Sequence, residues 1–254
     1  MWVPLHVHSQ YSILDAQPSV DAIAKKAKAL GIPACALTDH GNLYGAVEFY
    51  KACKEQGLKA IIGVEFYVAP GDRKDKKKEY GARTSYHLIL LAKNRQGYHN
   101  LCKLSSMGYL EGFYYNPRID YDTLKQHSEG LICLSGCQSS HVAHEAIHGT
   151  KESLYEIIKW HHDLFGDDYY LELQRHQMSE ADLQSGGMYD ESWLLQHYED
   201  FIAKQKKVNE LLIEASKKLN IKLVATNNSH YIERQDFRAH EVLLNIQSGE
   251  PVEI

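Results

Sequence analysis

Histidines, acids and one cysteine fall at or just past the ends of apolar runs along almost the whole chain. They are His6 and His8 in PLHVHS, Asp15 in SILDA, Asp39 and His40 in LTDHG, Glu65 in IIGVEFYV, His87 in SYHLILLA, Cys137 in LSGC and His230 in ATNNSHY. Imidazole, carboxylate and thiolate are the donors that transition metals prefer. A chain that collects them from so many separate elements is assembling a metal cluster. Two residues apart on a strand, His6 and His8 project to the same face, as two ligands of one ion must. A chain with 15 histidines produces such pairs by chance. The pair gains weight from Asp15, His40, Glu65, His87 and His230, each on a different element. By contrast His161 and His162 in KWHHDLFG, and His141, His144 and His148 in SSHVAHEAIHG, read as helix-surface residues. Cys137 alone would read as a small buried hydrophobe.

The elements that must position these groups are strand-like runs alternating with helical ones. Strands are expected at 3–8, 34–38, 59–68, 86–92, 130–134, 169–174 and 222–226. The first helix has Ser19 as N-cap, Val20, Ile23, Ala24, Ala27 and Leu30 on one face, and Gly31 then Pro33 closing it. Further helices fit 44–56, 96–110, 153–165 and 198–219. This alternation implies right-handed βαβ units and a parallel sheet, and strands as apolar as LICLS and KLVAT suit burial on both faces.

Seven such units could lie open or close into a barrel. An open sheet gathers ligands at one switch point, whereas here the candidates come from strands one, two, three, four, five and seven. Only a closed barrel brings so many strand ends together, and the active sites of such barrels lie at the C-terminal face. Glu65 and His87 sit inside their strands, so they must point into the barrel. The insertion at 177–193 reads as an ornament on that face. The 254 residues are expected to form a single domain over 1–254, an α/β fold built as a distorted seven-stranded TIM-like barrel.

Composition sets outer limits. The 44% hydrophobic content provides a sizeable core. No apolar run nears the roughly 20 residues that span a bilayer, and MWVPLHVHS does not resemble a signal peptide, so a soluble, cytoplasmic protein without membrane association is expected. Cys35, Cys53, Cys102, Cys133 and Cys137 form an odd set without a CxxC pair, which argues against both a disulfide framework and a zinc ribbon. A net charge of −5 gives no general affinity for nucleic acid. Locally, Arg73, Lys74, Lys76, Lys77, Lys78 and Arg83 crowd one loop, read either as solvated or as contacting phosphate at the site mouth.

The stretches HVHSQYSILD, ALTDHGNLYGAVEFYKACKEQGLKAIIGVEFYV, PRIDYDTLKQHSEGLICLSGC and ATNNSHYI strongly resemble the polymerase and histidinol phosphatase (PHP) domain at the N-terminus of bacterial replicative DNA polymerase III α subunits. The resemblance covers essentially the whole chain, and TDHGNLYGAVEFY is similar to the polymerase branch rather than to free-standing phosphatases. It implies a PHP fold holding two to three divalent ions through nine ligands: His6, His8, Asp15, His40, Glu65, His87, Cys137, Asn228 and His230. Zinc is the first expectation, with manganese, iron or magnesium as alternatives. Asp39 falls outside the nine and is expected to orient a ligating imidazole. Asn228 stands where the family carries aspartate, and an amide brings no negative charge.

The activity implied is metal-dependent 3′ to 5′ exonuclease proofreading during DNA replication, with Asp15, His8 and Glu65 catalytic, and with Arg175 and His176 holding a substrate phosphate. Bound ions supply hydroxide near neutral pH, so no side-chain nucleophile is needed. Expected partners are the 3′ end of single-stranded DNA, the remainder of the polymerase chain and a separate proofreading exonuclease subunit. The alternative is a catalytically weak or silent module, stabilised by its metals, that docks the polymerase body or that exonuclease. A third reading, a phosphatase of small monoesters, requires a chain ending near Ile254. The ending HEVLLNIQSGEPVEI instead reads as the boundary of an N-terminal fragment of a longer polymerase.

Overall fold

The computed structural model describes residues 2–77, 83–190 and 192–249. Its strands are β1 Ala34–Leu37, β2 Lys59–Val68, β3 Tyr86–Ala92, β4 Arg118–Ile119, β5 Leu131–Leu134, β6 Tyr169–Gln174 and β7 Lys222–Thr226. They form one curled, mostly parallel sheet in the order β1-β2-β3-β5-β6-β7, with β4 beside β2. Around it lie α1 Val20–Ala29, α2 Ala46–Gln56, α3 Arg95–Leu110, α4 Tyr121–Gln126, α5 His141–His148, α6 Lys151–Phe165, α7 Glu180–Ser185, α8 Ser192–Leu219 and α9 Phe237–Ser248. The expected α/β barrel is the architecture found, though two of its details differ. No described helix is long and apolar enough to cross a membrane.

The first difference is the segment expected as strand one. Residues 4–8 form no regular strand and are tied to each sheet edge by two backbone hydrogen bonds. Pro4 O and Val7 O accept from Ala36 N and Thr38 N beside β1, while His8 N donates to Ser229 O and Ser229 N to His6 O past β7. Pro4 has no N–H to offer a ladder, and the N–H of Val7 goes to the Thr38 hydroxyl instead, at 2.9 Å. The segment still closes the gap between β1 and β7. The sheet's seventh strand is β4, two residues long, paired parallel to β2 and absent from the sequence reading.

The second difference is direction. β3 runs antiparallel to both β2 and β5, so the sheet is not wholly parallel. Residues 69–85 join β2 to β3 without a described helix, and two neighbouring strands joined without a crossover run in opposite directions. The N-terminal end of β3 therefore stands beside the C-terminal ends of its neighbours.

Alternation sorts the side chains. Val64, Phe66, Val68, Leu88 and Leu90 point out and pack with Leu101, Leu104 and Ile158 of the surrounding helices. Ile89, Leu91, Leu134 and Ala36 point in, with Leu5, Ile61, Ile132, Tyr170 and Val224 against them, and close the lower half of the barrel. Higher on the same strands the inward positions are Glu65, His87 and Glu172.

The first helix follows its reading, with the Ser19 hydroxyl accepting from Ala22 N and Val20, Ile23, Ala24 and Ala27 buried. Leu30 departs from it: as the C-cap residue it has left the helix face and is 60% exposed. His161 departs too. It is buried, its Nδ1 donating to Ile157 O at 2.8 Å, because α6 is covered on that side by β6, where Tyr169 stacks on the ring. His141 is half-buried between Tyr86 and Tyr121, while His148 stays exposed.

Candidate metal centre

Every sequence-identified donor reaches the upper end of the barrel by a short route. His6 and His8 come from the closing segment, Asp15 from the turn after it, and His40 from three residues beyond β1. Glu65 points inward from β2, and His87 arrives because β3 is reversed. Cys137 follows β5 through Gly136, whose φ of 87° places the chain in the left-handed region. A side chain at Gly136 would also meet His87 O and Ser140 Cβ, both at 3.0 Å. Asn228 and His230 follow β7.

Glu65 is the hub. Its Oε1 lies 3.2 Å from His6 Nε2, 3.0 Å from His87 Nδ1 and 3.5 Å from the Cys137 sulfur. Its Oε2 lies 3.2 Å from His8 Nε2 and 3.1 Å from His40 Nδ1. Asp15 forms a second focus, with Oδ2 at 2.7 Å from His40 Nε2 and 3.1 Å from His230 Nδ1. His230 Nε2 is 2.9 Å from Asn228 Oδ1. Asn228 adopts a φ of 68°, a conformation asparagine tolerates better than most residues.

Tautomers are fixed from behind. His6 Nδ1 sits 2.9 Å from Glu172 Oε1, an acceptor, which turns His6 Nε2 toward the hub. His8 Nδ1 sits 2.9 Å from the Ser12 hydroxyl, which donates to Asp39 Oδ1 at 2.7 Å. Asp39 thus reaches an imidazole through Ser12 rather than directly, and it also holds Ser9 N at 2.7 Å.

Charges respond accordingly. Burial alone would raise the Glu65 carboxyl, but His87, His6 and His40 outweigh it and hold Glu65 well below the usual range. Burial likewise opposes charge on His6, yet Glu65 and Glu172 raise it to about 10. His40 rises to about 9 against the same penalty, through Glu65 and Asp15. His8 stays neutral because burial and His40 both disfavour its proton's charge. Burial, then Glu65, pushes the Cys137 thiol well up, whereas a divalent cation would deprotonate such a thiol.

The donor set fits metal ions on its own geometry. His6 Nε2, His8 Nε2, His40 Nδ1 and Glu65 Oε2 are buried without hydrogen-bond partners, although all four converge. Two donors about 2.1 Å from one tetrahedral ion stand about 3.4 Å apart, close to the 3.0–3.2 Å spacings around Glu65. Three sets of donors lie close enough to share an ion: His6, His8 and Glu65; His40, Glu65 and His87; Asp15, His230 and His240.

Three contributors escaped the sequence reading. Glu172 is a polar residue in an apolar strand, Ser12 is one of many serines, and His240 sits in a helix beyond the barrel. Beside Asp15, His40 and His87 opens a cavity of about 440 Å3 lined by Tyr11, Tyr44, Tyr67 and Tyr109.

The remaining candidates lie outside the cluster. Arg175, one residue past β6, is exposed, and His176 is held by Gln205, whose amide donates to its Nδ1 at 2.8 Å. In the basic loop Arg73 is paired with Asp120 at 2.8 Å and with Glu111, and Lys74 lies 3.5 Å from Glu111. Lys76 and Lys77 are exposed, and Lys78 lies outside the described residues.

Residues 4–176 match the family model for the PHP domain. Over 100% of this chain the sequence is 56% identical to a DNA polymerase III subunit alpha of Chlamydia pneumoniae, and over 99% it is 55% identical to that of Chlamydia trachomatis. The chain spans about a fifth of the length of these relatives. A crystal structure of a two-domain protein from Bacteroides vulgatus, described as containing a predicted PHP-like metal-dependent phosphoesterase, shares the fold. It has a TM-score of 0.50 at 12% identity, over 98% of this chain and 55% of that one.

Proposed function

The chain belongs to the PHP domain family, and from that premise we propose that it is the metal-dependent phosphoesterase part of a bacterial replicative DNA polymerase α subunit. Its proposed reaction is removal of nucleotides from the 3′ end of single-stranded DNA. The observation that carries this reading is the convergence of His6 Nε2, His8 Nε2 and His40 Nδ1 on the Glu65 carboxylate, with these three nitrogens and Glu65 Oε2 buried and making no hydrogen bond. Groups so expensive to bury are retained where a cation completes them.

Two to three divalent ions, zinc foremost, would be held by His6, His8, Asp15, His40, Glu65, His87, Cys137, Asn228 and His230. Bound there, they supply a water acidic enough to ionise near neutral pH and positive charge for the phosphoryl oxygens. The protein's own groups do the rest. Glu172 and the Ser12–Asp39 relay engage Nδ1 of His6 and of His8, which leaves Nε2 of each aimed inward. Glu65 offers both oxygens to separate sides of the cluster, and Asp15 holds His40 and His230 in register. The cavity tyrosines supply flat faces on which bases of a single strand stack. Arg175 is free to meet a phosphate from the rim, with His176 beside it. The setting is cytoplasmic, joined to the remainder of the polymerase and near a separate proofreading exonuclease.

Asn228 favours a second reading, a metal-stabilised docking module with little hydrolysis, since the neutral amide leaves the cluster one charge short. A matched pair separates the two. Hydrolysis of single-stranded DNA with a free 3′ end should rise in Asn228→Asp and vanish in Asp15→Asn. No hydrolysis in either variant, with metal bound in both, would favour the docking module. Hydrolysis indifferent to Asp15 would place the activity elsewhere.

A further inference from the structure

α9 lies outside the barrel, yet one face of it meets the metal centre. His240, Leu243 and Leu244 are half-buried and Gln247 lines the tyrosine cavity, whereas Val242 and Ile246 on the opposite side are exposed. The spacing of three, four and seven residues puts these inward positions on one helical stripe. At its head, His240 Nε2 stands 2.8 Å from the backbone oxygen of Asp15, and its ring centroid is 5.7 Å from that of His230. One donor atom each of Asp15, His230 and His240 lies within 4.8 Å of the others.

We propose that His240 is a protein ligand of the ion nearest Asp15, a donor carried to the cluster by α9 and additional to the nine residues of the barrel. The proposal rests on the metal-centre reading. Asp15 Oδ2 already faces His230 Nδ1, so His240 would bring a third protein donor to this focus, apart from the set around Glu65. A small shift of the His240 ring moves Nε2 from the Asp15 carbonyl to the space between that carboxylate and His230. The added nitrogen tightens an ion whose neighbouring site has lost a carboxylate at Asn228.

The bland explanation is that His240 merely donates a hydrogen bond to Asp15 O and steadies the turn. Two isosteric substitutions separate the cases. Glutamine can donate that bond but is a poor ligand. Glutamate is a ligand but cannot donate to a carbonyl. Zinc per chain is measured by elemental analysis after dialysis against a graded series of chelator concentrations, for wild type, His240→Gln and His240→Glu. Visible spectra of cobalt-substituted samples follow coordination number directly. Expected is loss of one equivalent from His240→Gln with affinity weakened roughly 10-fold to 100-fold or more, the range for perturbing even an outer partner of a metal ligand. His240→Glu should retain it within about threefold and keep the four-coordinate cobalt spectrum. The reverse pattern, or wild-type affinity in both variants, overturns the proposal and leaves the rest of the centre standing. Wild-type protein that binds no zinc or cobalt overturns the metal centre and this inference together.

Discussion

At the lower end of the barrel Ile89, Leu91, Leu134 and Ala36 close on one another, whereas toward the upper end Glu65 of β2 and His87 of β3 face one another across 3.0 Å. The lower end is held by transfer of apolar surface from water, roughly 1.5–3 kcal/mol for each large side chain buried. The upper end buries ionisable groups, each costing several kcal/mol unless fully paired, and four of its atoms make no hydrogen bond. Burial supports the first region and penalises the second. The upper end gains its stability through whatever binds it, by mass action, so its contribution follows metal concentration rather than contact area. Strength and chemistry are thus segregated along the barrel axis within single strands.

The largest effect should come from the hub. Glu65→Gln removes the charge shared by His6, His8, His40 and His87, and should weaken metal binding roughly 100-fold or more while abolishing hydrolysis. Elemental analysis beside a nuclease assay reads both, and undiminished metal would erase the contrast between the two ends. Ile89→Ala, on the neighbouring strand β3 two residues beyond His87, should cost about 2–5 kcal/mol in urea denaturation and leave metal per folded chain unchanged. Metal lost in parallel would mean that the ends are not separable.

A smaller effect tests whether the upper end alone stores buried ionisable groups that need a cation. His161, on the outer layer, is held neutral by burial, with its pKa lowered to about 4. Its folded value lies below its unfolded value of about 6.5, so between them the unfolded chain binds the extra proton. The stability from this group is full above pH 6.5 and is lost as pH falls toward 4, by roughly 3 kcal/mol at most. His161→Gln should remove that part of the acid-side slope in denaturation curves taken with and without metal. A slope that changes only when metal is present would tie His161 to the centre after all.

The sequence made the donors legible because polar residues of one chemical kind interrupt apolar runs at strand ends, as in TDHG and LSGC. It made the barrel legible because those donors come from too many strands for an open sheet. Reversal of β3 was also written there, since 69–85 carries no helical periodicity, but regular alternation elsewhere suggested uniform direction. β4 was too short to show a period. Pro4 disqualified the first strand from a regular ladder without preventing it from closing the barrel. Glu172 remained hidden because alternation in YYLELQ marks it as inward without indicating that a histidine ring waits behind it. His240 remained hidden for the opposite reason: nothing in a helix sequence tells which distant turn it will rest upon.

The closing segment adds a constraint in time. The groups that bracket His6 and His8, at Ser229 and His230, are synthesised more than two hundred residues after them. At roughly 5–20 residues per second the wait is on the order of 10 to 40 s. Through that interval the two imidazoles stand on an unclosed strand end, able to capture a metal before the remaining ligands exist. The order of synthesis therefore completes the donor set only when the turn after β7 is made, and that turn acts as its latch.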